Sequence, residues 1–179
     1  MLFQRLPVIS PVLFSTSLVG LLLAGCPGGT PTNPTPSAPA ATASIDADAC
    51  EHFEKGPSSA VTATDSASAT SPLVSSPHSR FDITLPGSGD RQGFVRFTVS
   101  KAGDYTMFLN KTMDLKVLND ARTPVTAETT ATSAAGCATA KARHVYPLTI
   151  GTYYVQIGPT VESLVSFVAI GDDGDAHVH

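Results

Sequence analysis

The sequence predicts an all-β fold, an antiparallel β-sandwich of about eight strands behind a disordered tether. Three observations predict it. Turn residues recur at short intervals from residue 56 onward. The runs between them alternate apolar and polar side chains with a period of two, as antiparallel strands with one buried face do. No segment after the N-terminal apolar run sustains a convincing helical period. Each strand has one apolar face to hide from water, so two packed sheets are the expected solution.

The N-terminus comes first. Met1 to Arg5 carry one positive charge, and Leu6 to Leu23 carry none. The tetrapeptide Leu23-Ala24-Gly25-Cys26 then closes the apolar run. A charged start, an apolar middle and small residues at the end read as a secretory signal over residues 1–25. A transmembrane anchor and an ordinary secretion signal with an accidental cysteine are the alternatives. Pro7, Pro11 and several Ser and Thr interrupt the apolar run, which is short for a span of ~20 solidly apolar residues. Small residues leading directly into cysteine resemble the lipobox of bacterial lipoproteins. That resemblance implies that Cys26 is lipidated on sulfur and becomes the new N-terminus. Each buried acyl methylene contributes roughly 0.8 kcal/mol, so several chains on Cys26 hold a protein at a bilayer. The implied location is the cell envelope, anchored to a membrane, the outer in preference to the inner, with the membrane as partner through the lipid.

Residues 26–44 read as the lipidated cysteine and a tether rich in Pro, Thr and Ala. The stretch has no large apolar side chain to offset its ordering entropy. Repeated prolines favour an extended stalk reaching ~50 Å at about 3.1 Å per residue. Residues 45–171 read as the folded domain and 172–179 as an acidic, histidine-containing tail. The chain has 11 basic and 15 acidic residues, a formal net charge of −4, and no Trp. An acidic chain without a basic patch excludes nucleic acid as a partner and argues against electrostatic attachment to anionic lipid.

With Cys26 taken by lipid, Cys50 and Cys137 form an even pair in an oxidising compartment. A disulfide is the economical inference. Metal thiolates or a redox pair are the alternative, but neither cysteine lies in a Cys-x-x-Cys.

The predicted strands are Ala60–Thr64, Ser79–Leu85, Gly93–Ser100, Asp104–Asn110, Leu115–Asn119, His144–Ile150, Thr152–Ile157 and Ser163–Ile170. Predicted turns include Pro86 to Asp90, Lys101-Ala102-Gly103, Asn119 to Arg122 and Gly158-Pro159-Thr160. Phe81, Ile83 and Leu85 share one face. Val95, Phe97 and Val99 share another, as do Tyr105, Met107 and Leu109, and Tyr153, Val155 and Ile157.

The order of these strands carries a second resemblance. Gly93 to Thr106, then Asp114 to Asp120, then Leu148 to Gly158 with its Gly151-Thr152-Tyr153-Tyr154, is similar to the bacterial pre-peptidase C-terminal domain. The similarity covers about the last 90 residues. It implies a jelly-roll-like sandwich acting as a non-catalytic accessory or binding module, with an envelope protein or glycan as partner. The chain departs from that type in lacking an attached protease, in its cysteine pair and in its histidines.

No His-Glu-x-x-His, Gly-x-Ser-x-Gly or phosphate-binding loop occurs, so no catalytic residue is expected. The histidines are the one constellation to weigh. A Cys50–Cys137 bridge would bring His52 near one of its ends, with His144 seven residues from the other, and His78 opens a strand. These three could meet at a Zn or Cu ion with Glu51 or Glu54, which would make the chain a periplasmic metal-binding protein. The other reading is that each is a surface or capping histidine. His177 and His179, in His-x-His form, could chelate weakly in the tail, or sit on a frayed terminus. Tyr105, Tyr146, Tyr153 and Tyr154 could line a sugar- or peptide-binding face, or be core and cross-strand pairs.

Overall fold

The structure is a computed structural model that describes residues 40–76 and 79–171, with side chains from Ser44 onward. Its elements are α1 (Ala40–Glu54), β1 (Ser58–Thr62), β2 (Arg80–Thr84), β3 (Arg91–Val99), β4 (Gly103–Leu109), β5 (Leu115–Leu118), β6 (Pro124–Val125), β7 (Thr129–Ala131), β8 (Ala142–Leu148), β9 (Gly151–Thr160) and β10 (Leu164–Gly171). The strands form a six-stranded sheet, β1-β2-β10-β4-β8-β7, and a four-stranded sheet, β3-β9-β5-β6.

The sandwich is a jelly roll. Setting aside β1 and β7, the chain pairs from its ends inward. β2 pairs with β10, β3 with β9, β4 with β8 and β5 with β6, all antiparallel. This is a long hairpin rolled into two sheets. β7 adds an edge to β8. β1 runs parallel to β2, so the sandwich is not antiparallel throughout. The free edge of β3 is covered by residues 64–74, which bridge to Phe94 and Arg96. Arg96 Nε donates to the Ser71 carbonyl at 3.0 Å across that edge.

The alternation read from the sequence places the core. Phe81, Ile83, Leu85, Val95, Phe97, Val99, Met107, Leu109, Tyr153, Val155 and Ile157 all pack between the sheets, with Val165 and Phe167 from β10. Tyr146, Tyr153 and Tyr154 are buried, so they do not form an exposed binding face. Gly158-Pro159-Thr160 is not a turn but the end of β9. Gly158 holds φ +101° with its Cα so close to β3 that a Cβ would lie 2.5 Å from the Arg91 carbonyl oxygen. A residue without a Cβ lets the strand continue there.

The helix is the main departure from the expected fold. It begins at Ala40, inside the stretch read as tether. Pro39 is the last proline of that stretch, and an Ala-rich run follows it, which suits a helix. Ile45, Ala49 and Phe53 recur every four residues on one face, and Gly56-Pro57 stops the helix. That face covers the outer side of the six-stranded sheet. Ala49 and Phe53 pack on Phe108, Val168 and Ile170, with Ala134, Cys137 and Ala140 closing one side. The central strands of this sheet are thus buried on both faces, by the sandwich core within and by α1 outside.

Three ties fix the helix. Cys50 is bonded to Cys137, with Cα atoms 5.4 Å apart and 87 positions between them. Asp46 accepts from Arg143 Nε at 2.9 Å and from the Ala135 amide at 2.6 Å. At the other end the Phe53 carbonyl accepts from Arg80 Nη1 at 2.7 Å. Arg80 in turn meets Asp82, which accepts from Ser166 Oγ at 2.7 Å. Asn110 continues that row: its side-chain amide donates to Ser166 Oγ at 3.1 Å and its side-chain oxygen accepts from the Ser166 amide at 2.8 Å.

Candidate functional site

The site is built around His144, and strand parity decides where it points. Across three adjacent strands, Met107 of β4, His144 of β8 and Thr130 of β7 stand in register. Opposed residues of an antiparallel pair share a face. Met107 lies wholly within the inter-sheet core, so His144 faces inward with it. The next residue back, Arg143, stands in register with Phe108 and faces α1.

At the β7–β8 edge the sandwich opens into a cleft of about 490 Å³. Ala142, His144 and Met113 form its inner part, and Thr130, Asp114, Lys141 and Pro159 are exposed around it. Two backbone bonds hold this mouth. The Gly158 amide donates to the Asp114 carbonyl at 2.9 Å, which fixes the β4–β5 link beside Pro159. The Lys141 amide donates to the Leu109 carbonyl at 2.8 Å, which fixes the chain entering β8 against β4.

Both ring nitrogens of His144 are buried, and among the described residues neither has a hydrogen-bond partner. Buried polar atoms are nearly always satisfied, so this pair keeps hydrogen-bonding capacity that the described residues do not use. Burial lowers the imidazole pKa below its ordinary value, and the nearby Asp114 carboxylate opposes the shift in part. The neutral ring therefore offers one donor and one acceptor. Tyr146 supports it from behind, with near-parallel rings whose centroids are 6.4 Å apart. The Tyr146 hydroxyl donates to the Leu115 carbonyl at 2.9 Å. Burial pushes its pKa up to about 12, against a backbone hydrogen bond at Val117 that lowers it, so it stays a neutral support.

The other histidines lie elsewhere. His52 is on α1, where its Nε2 meets Asp48 Oδ1 at 3.1 Å. The six-stranded sheet stands between it and His144, so the expected convergence at one metal does not include both. The bridge does place Cys50 beside Cys137, but the seven residues from Cys137 to His144 carry the chain to the inner face. Glu51 and Glu54 are on the helix with His52. Among the described residues, no group of three or more His, Cys, Asp or Glu is placed to hold a metal ion. His78, His177 and His179 lie outside the described residues, as does Cys26.

The cleft was not read from the sequence. Its lining comes from the β4–β5 link, β7, the start of β8 and the end of β9. Of these stretches, the strand carrying His144 was expected from the sequence, but not the face that His144 takes. No protein-family model and no curated protein matches this chain.

Proposed function

We propose that this chain is a lipid-anchored envelope protein that displays a non-catalytic jelly-roll binding module. The Cys50–Cys137 bridge carries the reading. A structural disulfide suits folding in an oxidising compartment, which is where an N-terminal export signal would deliver the chain. Lipid on Cys26 would hold it at the membrane, and residues after Cys26 would space the sandwich from the surface. The order of strands supports the similarity to pre-peptidase C-terminal domains, whose role is accessory binding. Among the described residues, neither a nucleophile nor an orienting carboxylate is hydrogen-bonded to His144.

The anchor is tested by labelling cells with radioactive palmitate and fractionating them. The wild-type chain is expected to carry label and sediment with membranes, and Cys26→Ala to do neither. Equal label on both chains would refute the anchor.

A further inference from the structure

We propose that the cleft at the β7–β8 edge binds a neutral pyranose, free or as one residue of a glycan, with His144 at its floor. The proposal rests on the binding-module reading and deepens it by naming the ligand class.

Charge comes first. The cleft carries one carboxylate, Asp114, and one ammonium, Lys141, while His144 is neutral. The formal charges cancel, so neither an anion nor a cation is drawn in by a net field. A metal ion would find Asp114 and His144 but no third protein ligand of the usual kinds among the described residues.

Hydrogen-bonding capacity comes next. The neutral imidazole needs both a donor and an acceptor to satisfy it. The Thr130 hydroxyl, in register with His144, also both donates and accepts. Asp114 only accepts and Lys141 only donates. A sugar hydroxyl is the common biological group that gives and takes a hydrogen bond at one atom. A neighbouring pair of hydroxyls could serve both imidazole nitrogens.

Shape completes the argument. Met113, Ala142 and Pro159 supply apolar surface on which the C–H face of a ring can lie. Ligand pockets pair such surface with a few placed polar groups. The rim is exposed on several sides, so the site can hold one residue of a chain whose neighbours remain in solvent.

The test is calorimetric titration of the detergent-solubilised full chain with glucose, galactose, mannose and N-acetylglucosamine. At least one is expected to bind with a Kd on the order of 1 mM, given the few atoms an open cleft engages. Thr130→Trp fills the mouth from an exposed edge strand and should abolish binding. His144→Leu should weaken it about tenfold or more, by removing both imidazole bonds. His144→Gln keeps a donor and an acceptor and should weaken it less. Circular dichroism and thermal melting verify that each variant is folded. A tetrasaccharide binding more tightly than the single sugar assigns the ligand to a glycan; otherwise it is a free sugar.

The proposal is overturned if none of these sugars binds, or if they bind Thr130→Trp as well as wild type. It is equally overturned if zinc chloride, acetate or glycine occupies the cleft and the sugars do not. Palmitate on Cys26 without sugar binding removes the sugar and leaves the anchored module. Sugar binding by a chain that takes up no palmitate sinks the anchor and leaves the cleft.

Discussion

Arg143 and His144 are neighbours on β8 and point to opposite sides of the same sheet. On the outer side, Arg143 is clamped to a buried Asp46, beneath a helix tied down by a disulfide and sealed by Phe53. On the inner side, His144 reaches the mouth of the sandwich, and among the described residues no partner meets its nitrogens. The difference separates stability from binding. A surface whose polar groups are tied across elements, as Asp46 is to Arg143 and the Ala135 amide, holds the fold together. A surface that keeps polar atoms unused has capacity left for a ligand. The helix is therefore a structural cover, and the cleft is the proposed binding site.

Breaking the clamped side should cost most. Replacing Cys50 and Cys137 together with Ser releases a loop spanning 87 positions. The chain-entropy model puts that loss at roughly 4–5 kcal/mol, measured by urea denaturation. Phe53→Ala is next, at about 3–4 kcal/mol, because it empties the space between α1 and Phe108. Asp46→Ala should cost about 3 kcal/mol. It leaves Arg143 buried without its counter-charge and the Ala135 amide without its acceptor. In contrast, Thr130→Ala on the open side should change stability by no more than about 0.5 kcal/mol, since its side chain is exposed on an edge strand. A cost at Thr130 like that at Asp46 would erase the distinction between the two sides.

Acidification gives a smaller effect of known sign. The folded-state pKa of His144 lies below its ordinary value of 6.5, mainly because the ring is buried. As pH falls through 6.5, the unfolded chain takes the proton before the folded chain does. Stability from this group is thus present above pH 6.5 and lost as pH falls through the lowered folded value. Asp114 and Lys141 face the ring across the cleft, and only Asp114 pulls against the loss. The slope of stability against pH should flatten below neutrality in His144→Gln. An unchanged slope would show that His144 is not held neutral.

The two sides also differed in how far the sequence revealed them. All eight expected strands exist, because residues such as Val95, Phe97 and Val99 alternate cleanly and Gly- or Asn-containing turns bound them. β6 and β7 escaped notice because Pro124-Val125 and Thr129-Thr130-Ala131 are too short to show a period. The helix was hidden because Ile45 and Phe53 are its only large apolar side chains, in a run of Ala, Asp and Ser. Placing Cys50 beside Cys137 was correct. Extending that closeness to His52 and His144 was not, because a strand pointing His144 inward puts a sheet between them. The cleft needed four separated stretches brought together, which no local pattern encodes.

The most direct measurement follows the histidine ring nitrogens by NMR in 15N-histidine-labelled protein titrated with the neutral sugar that binds best. His144 is expected to show a neutral ring whose two nitrogen signals move as the sugar fills the cleft. His52, on the far side of the sheet, should not move. Signals of His144 that stay fixed while sugar is added, or that move only together with those of His52, would contradict the account.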